Sequence, residues 1–360
     1  MKILILQDHL RSGGTERQSI QLARAARAAG HGCTLMTFRP GGALAAGLAG
    51  VEHRPLQLFD LRADWFAPGL SRAVRRENPD IILCMGRMAN CYGGSLQREF
   101  PAVPVVATFR TGKPLPWLFR RSLGIVRHVA ANSLAGRQRL VEQYGVPRER
   151  ISVIPNALVI PPDAHAPADP ALRARLGAPP GATVLLCVAM FRPEKNQREL
   201  IATLADLPAT ADWQLWLAGV GPDRSACEKL VLERGLGGRV RFLGYQADPS
   251  PLYASADIAV HASRSESLSN FLIEAQSRGL PVVAYQAQGV RECFVPGRTG
   301  WDIAPGDRPS FCAAVARLMG DAPDVRAVRA AEARVFARER FDPGRQATAY
   351  FRLFEKLKSR

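Results

Sequence analysis

Two glutamates, Glu266 and Glu274, are separated by seven residues in the stretch "SRSESLSNFLIEAQSRGLPVVAY", Ser263 to Tyr285. The first lies in a Ser-rich turn, the second among Phe271, Leu272, Ile273 and Ala275 of an apolar helical run. An ionised carboxylate accepts protons from two vicinal hydroxyls without a metal. A carboxylate inside an apolar helical run asks for a reason, although a solvated helix face carries glutamates routinely. Upstream, "CVAMFRPEKNQREL" puts Arg192 and Lys195 between a strand and a helix, where two cations can clamp a diphosphate. An exposed basic helix start has the same composition. "HLRSGGTERQS" places Gly13 and Gly14 between the first strand and the first helix, where backbone N–H groups approach a phosphate or sugar closely. A tight turn needs the same residues. The loop is neither G-x-G-x-x-G nor a Walker loop, which argues against dinucleotides and ATP hydrolysis.

The elements that must position these residues alternate along the whole chain. In the first half, Lys2–Leu6, Cys33–Phe38, Ile81–Cys84, Val103–Thr108, His128–Ala131 and Ser152–Ile154 read as strands. A helix is expected over Glu16–Ala29, with Thr15 as its N-cap and Gly30 past its end. "VIPPDAHAPADPAL" (residues 159–172) reads as an interdomain linker. Strands then resume at Thr183–Ala189, Gln214–Ala218, Val240–Leu243, Asp257–Ala262 and Pro281–Tyr285. Apolar strands alternating with helices predict parallel sheets covered on both faces. The expectation is α/β: two facing doubly wound domains, 1–158 and 173–341, with ligands in the cleft between them and a C-terminal helix, about 342–360, returning to the first.

At 360 residues the chain is long enough for two such cores. The seven cysteines are scattered without C-x-x-C spacing and read as reduced, buried thiols of a cytoplasmic protein. The opening run "MKILIL" is too short for the apolar region of a signal peptide, and no run approaches 18 apolar residues. The net charge is +16, and residues 1–170 carry 22 basic against 12 acidic side chains. Such an excess favours anionic partners. Nucleic acid is not expected, because no recognition motif accompanies the charge. "FRTGKPLPWLFRRSLGIVRHV" (Phe109–Val129) mixes Trp117, Leu118 and Phe119 with Lys113, Arg120, Arg121 and Arg127. A helix of that kind suits an anionic membrane surface, here the inner face of the cytoplasmic membrane, or equally a domain core with a solvated basic side.

"PEKNQ", "WLAGVGPD", "RVRFLGY", "YASADIAVHASRSES", "NFLIEAQSRGLPVVAY" and "GRTGWDIAPGD" follow one another in an order and spacing that resembles retaining glycosyltransferases of family 4, which have the GT-B fold. "SGGTERQ", "ANSLAGRQRLVEQYGVP" and "VIPNAL" resemble that family's N-terminal landmarks. The resemblance implies that Glu274 holds the ribose of a nucleotide sugar and that Glu266 lies close to the donor sugar. It also implies that backbone N–H groups at Ser269, Asn270 and Phe271 face the diphosphate, and that Gly13, Gly14 and Tyr245 line the donor site. The chain departs from the family at Ser267 and Ser269, where Gly and Pro are usual, and at Met190, where Arg is usual. Arg110 stands where many relatives carry His.

By that resemblance the protein is a hexosyltransferase of bacterial surface-glycan synthesis. It would use a UDP-sugar in preference to a GDP-sugar and a lipid-pyrophosphate-linked or saccharide acceptor, with neither metal nor cofactor. Lys195 and Arg192 would stabilise the departing diphosphate, and Arg110 would hold a phosphate. A sugar-nucleotide epimerase and a silent GT-B scaffold are the alternatives, the second prompted by Met190 and Arg110.

Overall fold

The computed structural model describes residues 1–158 and 170–359. The chain divides into two compact units, one comprising Met1–Val159 with Asp342–Arg360 and the other Ile160–Phe341. Residues 159–169 of the expected linker lie outside the described residues, and residues 170–172 open a helix instead.

The first unit is built on β1 (Lys2–Gln7), β2 (Gly32–Thr37), β3 (Glu52–Pro55), β4 (Ile81–Cys84), β5 (Val105–Phe109), β6 (His128–Ala131) and β7 (Ile151–Val153). They form one parallel sheet in the order β3-β2-β1-β4-β5-β6-β7. Its helices are α1 (Gly14–Ala28), α2 (Leu70–Glu77), α3 (Arg87–Glu99), α4 (Trp117–Leu123) and α5 (Leu134–Tyr144). Alternate residues of β1 feed opposite faces. Leu4 and Leu6 join a core with Phe109, Phe119 and Leu140, while Ile3 and Ile5 join one with Ile20 and Leu22 of α1.

The second unit begins with α6 (Pro170–Arg175) and is built on β8 (Thr183–Val188), β9 (Trp213–Ala218), β10 (Val240–Gly244), β11 (Ile258–His261), β12 (Val282–Tyr285) and β13 (Gly300–Ile303). The parallel order is β10-β9-β8-β11-β12-β13. Between and after the strands lie α7 (Gln197–Leu204), α8 (Arg224–Glu233), α9 (Ser250–Ser255), α10 (Asn270–Ser277), α11 (Arg308–Met319) and α12 (Pro323–Arg340). The last helix, α13 (Pro343–Lys358), belongs to the first unit, where Tyr350, Leu353, Phe354 and Leu357 pack in the core with α1.

Two local expectations are corrected. The N-cap of α1 is Gly13, in extended conformation, so Thr15 lies inside the helix, where its carbonyl accepts from the Ser19 hydroxyl. The sheet edges β3 and β13 were not anticipated. β3 reads "EHRP", an edge strand with no fully buried residue and hence no apolar run.

Candidate active site

In an open parallel sheet, ligands bind where the strand order reverses, outside the strands' carboxyl ends. In the second unit that point lies between β8 and β11, because the chain leaves β8 toward β9 and β10 and returns to the other side of β8. The loops leaving these two strands carry Lys195 and Glu266. They are stitched together at Glu194, whose carbonyl accepts from the Arg264 backbone N–H at 2.8 Å and from the Ser263 hydroxyl at 3.0 Å. The neighbouring loop after β9 presses backbone on backbone. Gly221, at φ +155°, leaves no room for a side chain beside the Phe191 carbonyl.

These restraints bring Lys195 Nζ to 2.5 Å from Glu266 Oε1. The same oxygen lies 2.8 Å from Nε2 of His261, the last residue of β11. A carboxylate only accepts, so His261 donates from Nε2. Its Nδ1 is buried with no partner among the described residues. Both contacts converge on Oε1, which leaves Oε2 available for a ligand hydroxyl. Burial alone would raise the Glu266 pKa, but the Lys195 charge and the His261 hydrogen bond outweigh it and hold the carboxyl well below the usual carboxylate range. An ammonium has three N–H donors. With one on Glu266, Lys195 keeps others for an incoming anion.

Glu266 leads into α10, whose N-cap is Ser269 and whose first residues are Asn270 and Phe271. The Ser269 side chain does not cap the helix, so the first-turn N–H groups are not closed off by it. One turn on, Glu274 accepts from the Tyr253 hydroxyl at 2.7 Å. Tyr253 comes from α9, is buried, and stacks on Phe271 with 6.1 Å between ring centroids. The apolar run around Glu274 therefore packs inward while its carboxylate is held in place at the partly exposed face.

Other expected residues take no part in these hydrogen bonds. Arg192 precedes the turn carrying Lys195, and its guanidinium lies 4.0 Å from Glu194. Tyr245 projects half-exposed just past β10. Gly13, Gly14 and Arg110 belong to the first unit. The Glu16 carboxylate folds over Gly13, occupying the space a Cβ there would take. Arg110 donates to Asn156 at 2.6 Å and lies 3.4 Å from the Tyr350 hydroxyl of α13. Burial lowers its pKa. Sequence reasoning missed His261 and Tyr253. The one signal for His261 was a histidine ending the apolar run "DIAVH"; Tyr253 carried none.

Two doubly wound parallel sheets, the second with a lysine, two carboxylates and a helix N-terminus at its carboxyl end, define the class: a two-unit Rossmann-like α/β protein. Comparison with known proteins gives the family. The family model for "Glycosyl transferases group 1" matches residues 169–335 and that for "Glycosyltransferase Family 4" matches residues 12–159. The 2-deoxystreptamine glucosyltransferase of Streptomyces kanamyceticus is 31% identical over 321 residues, 79% of this chain and 81% of that protein. The lipopolysaccharide core biosynthesis glycosyltransferase LpsE of Rhizobium meliloti is 34% identical over 149 residues, 41% of this chain. The chain spans about half the length of the lipopolysaccharide-core relatives it matches. Anabaena Alr3699/HepE, solved in complex with UDP and glucose, superposes with a TM-score of 0.82 at 25% identity, covering 99% of this chain and 100% of that one. The chain belongs to glycosyltransferase family 4 and has the GT-B fold.

Proposed function

We propose that the protein is a retaining glycosyltransferase of bacterial surface-glycan synthesis. It moves a hexosyl group from a UDP-sugar to a saccharide or lipid-linked acceptor. The observation that carries this reading is the meeting of Lys195 and Glu266 at the strand-order reversal of the second sheet, beside the N-terminus of α10. Glu274 accepts the ribose hydroxyls while Tyr253 orients it. Lys195 and the α10 N–H groups receive the diphosphate, and Oε2 of Glu266 accepts a hydroxyl of the donor sugar. In the transfer, the bond from the anomeric carbon to the diphosphate oxygen breaks and a bond to the acceptor oxygen forms on the same face. The acceptor's proton passes to the departing diphosphate. Lys195 stabilises the charge that develops there, so the catalytic contribution is electrostatic and positional and needs no metal. The protein similar in fold that was solved with UDP and glucose supports the donor class, and the lipopolysaccharide-core relatives support the pathway class.

Titration calorimetry with UDP, GDP and their glucose and galactose conjugates tests the donor. Tighter binding of the uridine series is expected, and absence of binding to any nucleotide sinks the reading. Proton NMR of the transferred product reports the anomeric configuration, where inversion would refute front-face transfer. Undiminished turnover in excess EDTA is expected, and its loss would overturn the metal-free step.

A further inference from the structure

The segment between β3 and α2 is ordered from within by polar groups and displays apolar ones outward, the reverse of an ordinary surface loop. Buried Gln57 donates to the carbonyls of Ala63 at 2.9 Å and Phe66 at 2.6 Å. The guanidinium of Arg39, itself buried, grips Asp60 through Nε and a terminal nitrogen at 2.7 and 2.9 Å and reaches Asp64 at 2.7 Å. Arg11 pairs with Asp64 as well, and the Tyr92 hydroxyl of α3 donates to the Trp65 carbonyl at 2.6 Å. With its backbone fixed in this way, the loop leaves Leu58 89%, Phe59 77% and Trp65 63% exposed, with Leu61 beside them. Apolar side chains held out from one short loop by a built scaffold mark a docking surface.

We propose that this loop docks the protein onto an anionic lipid bilayer. The choice of occupant rests on charge. Arg62, within the loop, and Arg72 and Arg76, on the helix that follows it, are exposed and enter no ion pair among the described residues, and residues 1–170 carry ten more basic than acidic side chains. A second copy would bring the same cationic rim against itself, whereas anionic headgroups complement it and the acyl region takes the apolar tips. A second pair of exposed apolar side chains stands on α4. Trp117 and Leu118 of α4 are exposed, with Arg121 over the Trp117 ring at 5.5 Å. The Arg87 guanidinium of α3 ties the loop before α4 to that helix through the Pro114 carbonyl. Thus α3 is bonded to the segments carrying both patches. Phe119, expected to share the docking face, is instead core beside Leu123. The inference deepens the proposed function by naming the surface that would bring a lipid-linked acceptor within reach.

The test is co-sedimentation with phosphatidylglycerol vesicles and with phosphatidylcholine vesicles, read without any activity assay. The wild-type chain is expected to bind the anionic vesicles and be released by high salt. L58S with F59S, both in solvent and therefore without effect on the far-UV spectrum, should lower the partition constant at least fivefold. Arg39→Lys keeps every apolar side chain and the charge but loses the fork that holds Asp60. It should weaken binding in the same direction. Wild type that stays in the supernatant, or an L58S/F59S variant that sediments normally, overturns the proposal. A wild type that self-associates while that variant is monomeric also overturns it, assigning the patch to a second copy. UDP titration of the same samples reports separately on the donor site, so loss of that reading leaves the vesicle result interpretable.

Discussion

The hydroxyl of Tyr253 donates to the carboxylate of Glu274 across 2.7 Å, from a ring packed between α9 and α10. This bond joins two helices and aims the acceptor proposed for the ribose. Tyr253→Phe keeps the stacking on Phe271 and removes only the hydroxyl. A hydrogen bond to a charged group contributes about 1.5–3 kcal/mol where it is well buried, and Glu274 is half-buried. Affinity for UDP should therefore fall roughly tenfold, near the low end of that range. Glu274→Ala should cost more, with little change in the melting temperature of the unliganded protein. Unaltered UDP titrations for both variants would return Glu274 to an ordinary surface role.

Lys195→Ala removes a phosphate contact and not a nucleoside one. UDP affinity should drop by about an order of magnitude or more, since a charge-assisted bond is lost, while uridine affinity changes little. Arg192→Ala, whose guanidinium rests near Glu194, should give a smaller UDP effect. Parallel losses for uridine and UDP would remove the phosphate assignment from both residues.

His261 touches Glu266 and no proposed ligand group, so it acts by positioning. His261→Leu should lower kcat while leaving UDP affinity close to wild type, because the diphosphate and ribose contacts remain. His261→Gln, whose amide can still donate to Oε1, should recover part of kcat. A fall in UDP affinity as large as that in kcat would point to general disorder of the site.

Two carboxyls predict opposite pH dependences of stability. Glu266 is held below its ordinary value of 4.5, so its contribution is present above that pH and is lost as the pH falls through its folded-state pKa. Asp8 is pushed by burial from 3.8 to about 6, despite accepting backbone N–H groups of Met88 and Ala89. Its contribution is present below 3.8 and is lost as the pH rises through about 6, on the order of 3 kcal/mol at about 1.4 kcal/mol per unit. Carboxyl carbon NMR should give an Asp8 midpoint near 6, and a midpoint near 4 would refute the assignment. Between pH 6 and pH 4, Asp8→Asn should lose more thermal stability on acidification than wild type.

The central strands and the carboxylate pair were legible because each is a local pattern. "ILIL" and "IILC" are apolar on both faces, and Glu266 and Glu274 sit at a fixed separation within one turn and helix. The partners that aim those carboxylates were not legible. Tyr253 and His261 lie in other elements, and only the fold brings them to Glu274 and Glu266. The Gly13–Gly14 loop was read correctly as a turn into a helix, yet its helix starts a residue before the expected cap because Gly13 takes the extended cap conformation itself. The exposed aromatic loop was invisible to a reading by composition. "QLFDLRADWFA" looks like core, and only the Arg39 clamp reveals which side chains point out.

The order of synthesis inherits a constraint from α13. The strands of the first unit leave the ribosome early, yet one face of their sheet is covered only in part, by α1, until residues 343–358 arrive, after the whole second unit. Ala347, Tyr350 and Phe354 then seal α1, Gln346 bonds Gln18 at 2.8 Å, and Lys358 reaches Asp80 at 2.8 Å. A nascent first unit is thus apolar-faced and incomplete during the longest part of translation, an interval in which a holding chaperone has a defined surface to cover. A stop codon near residue 341 would strand it there permanently, leaving Glu266 and Glu274 in place and the polypeptide prone to aggregate.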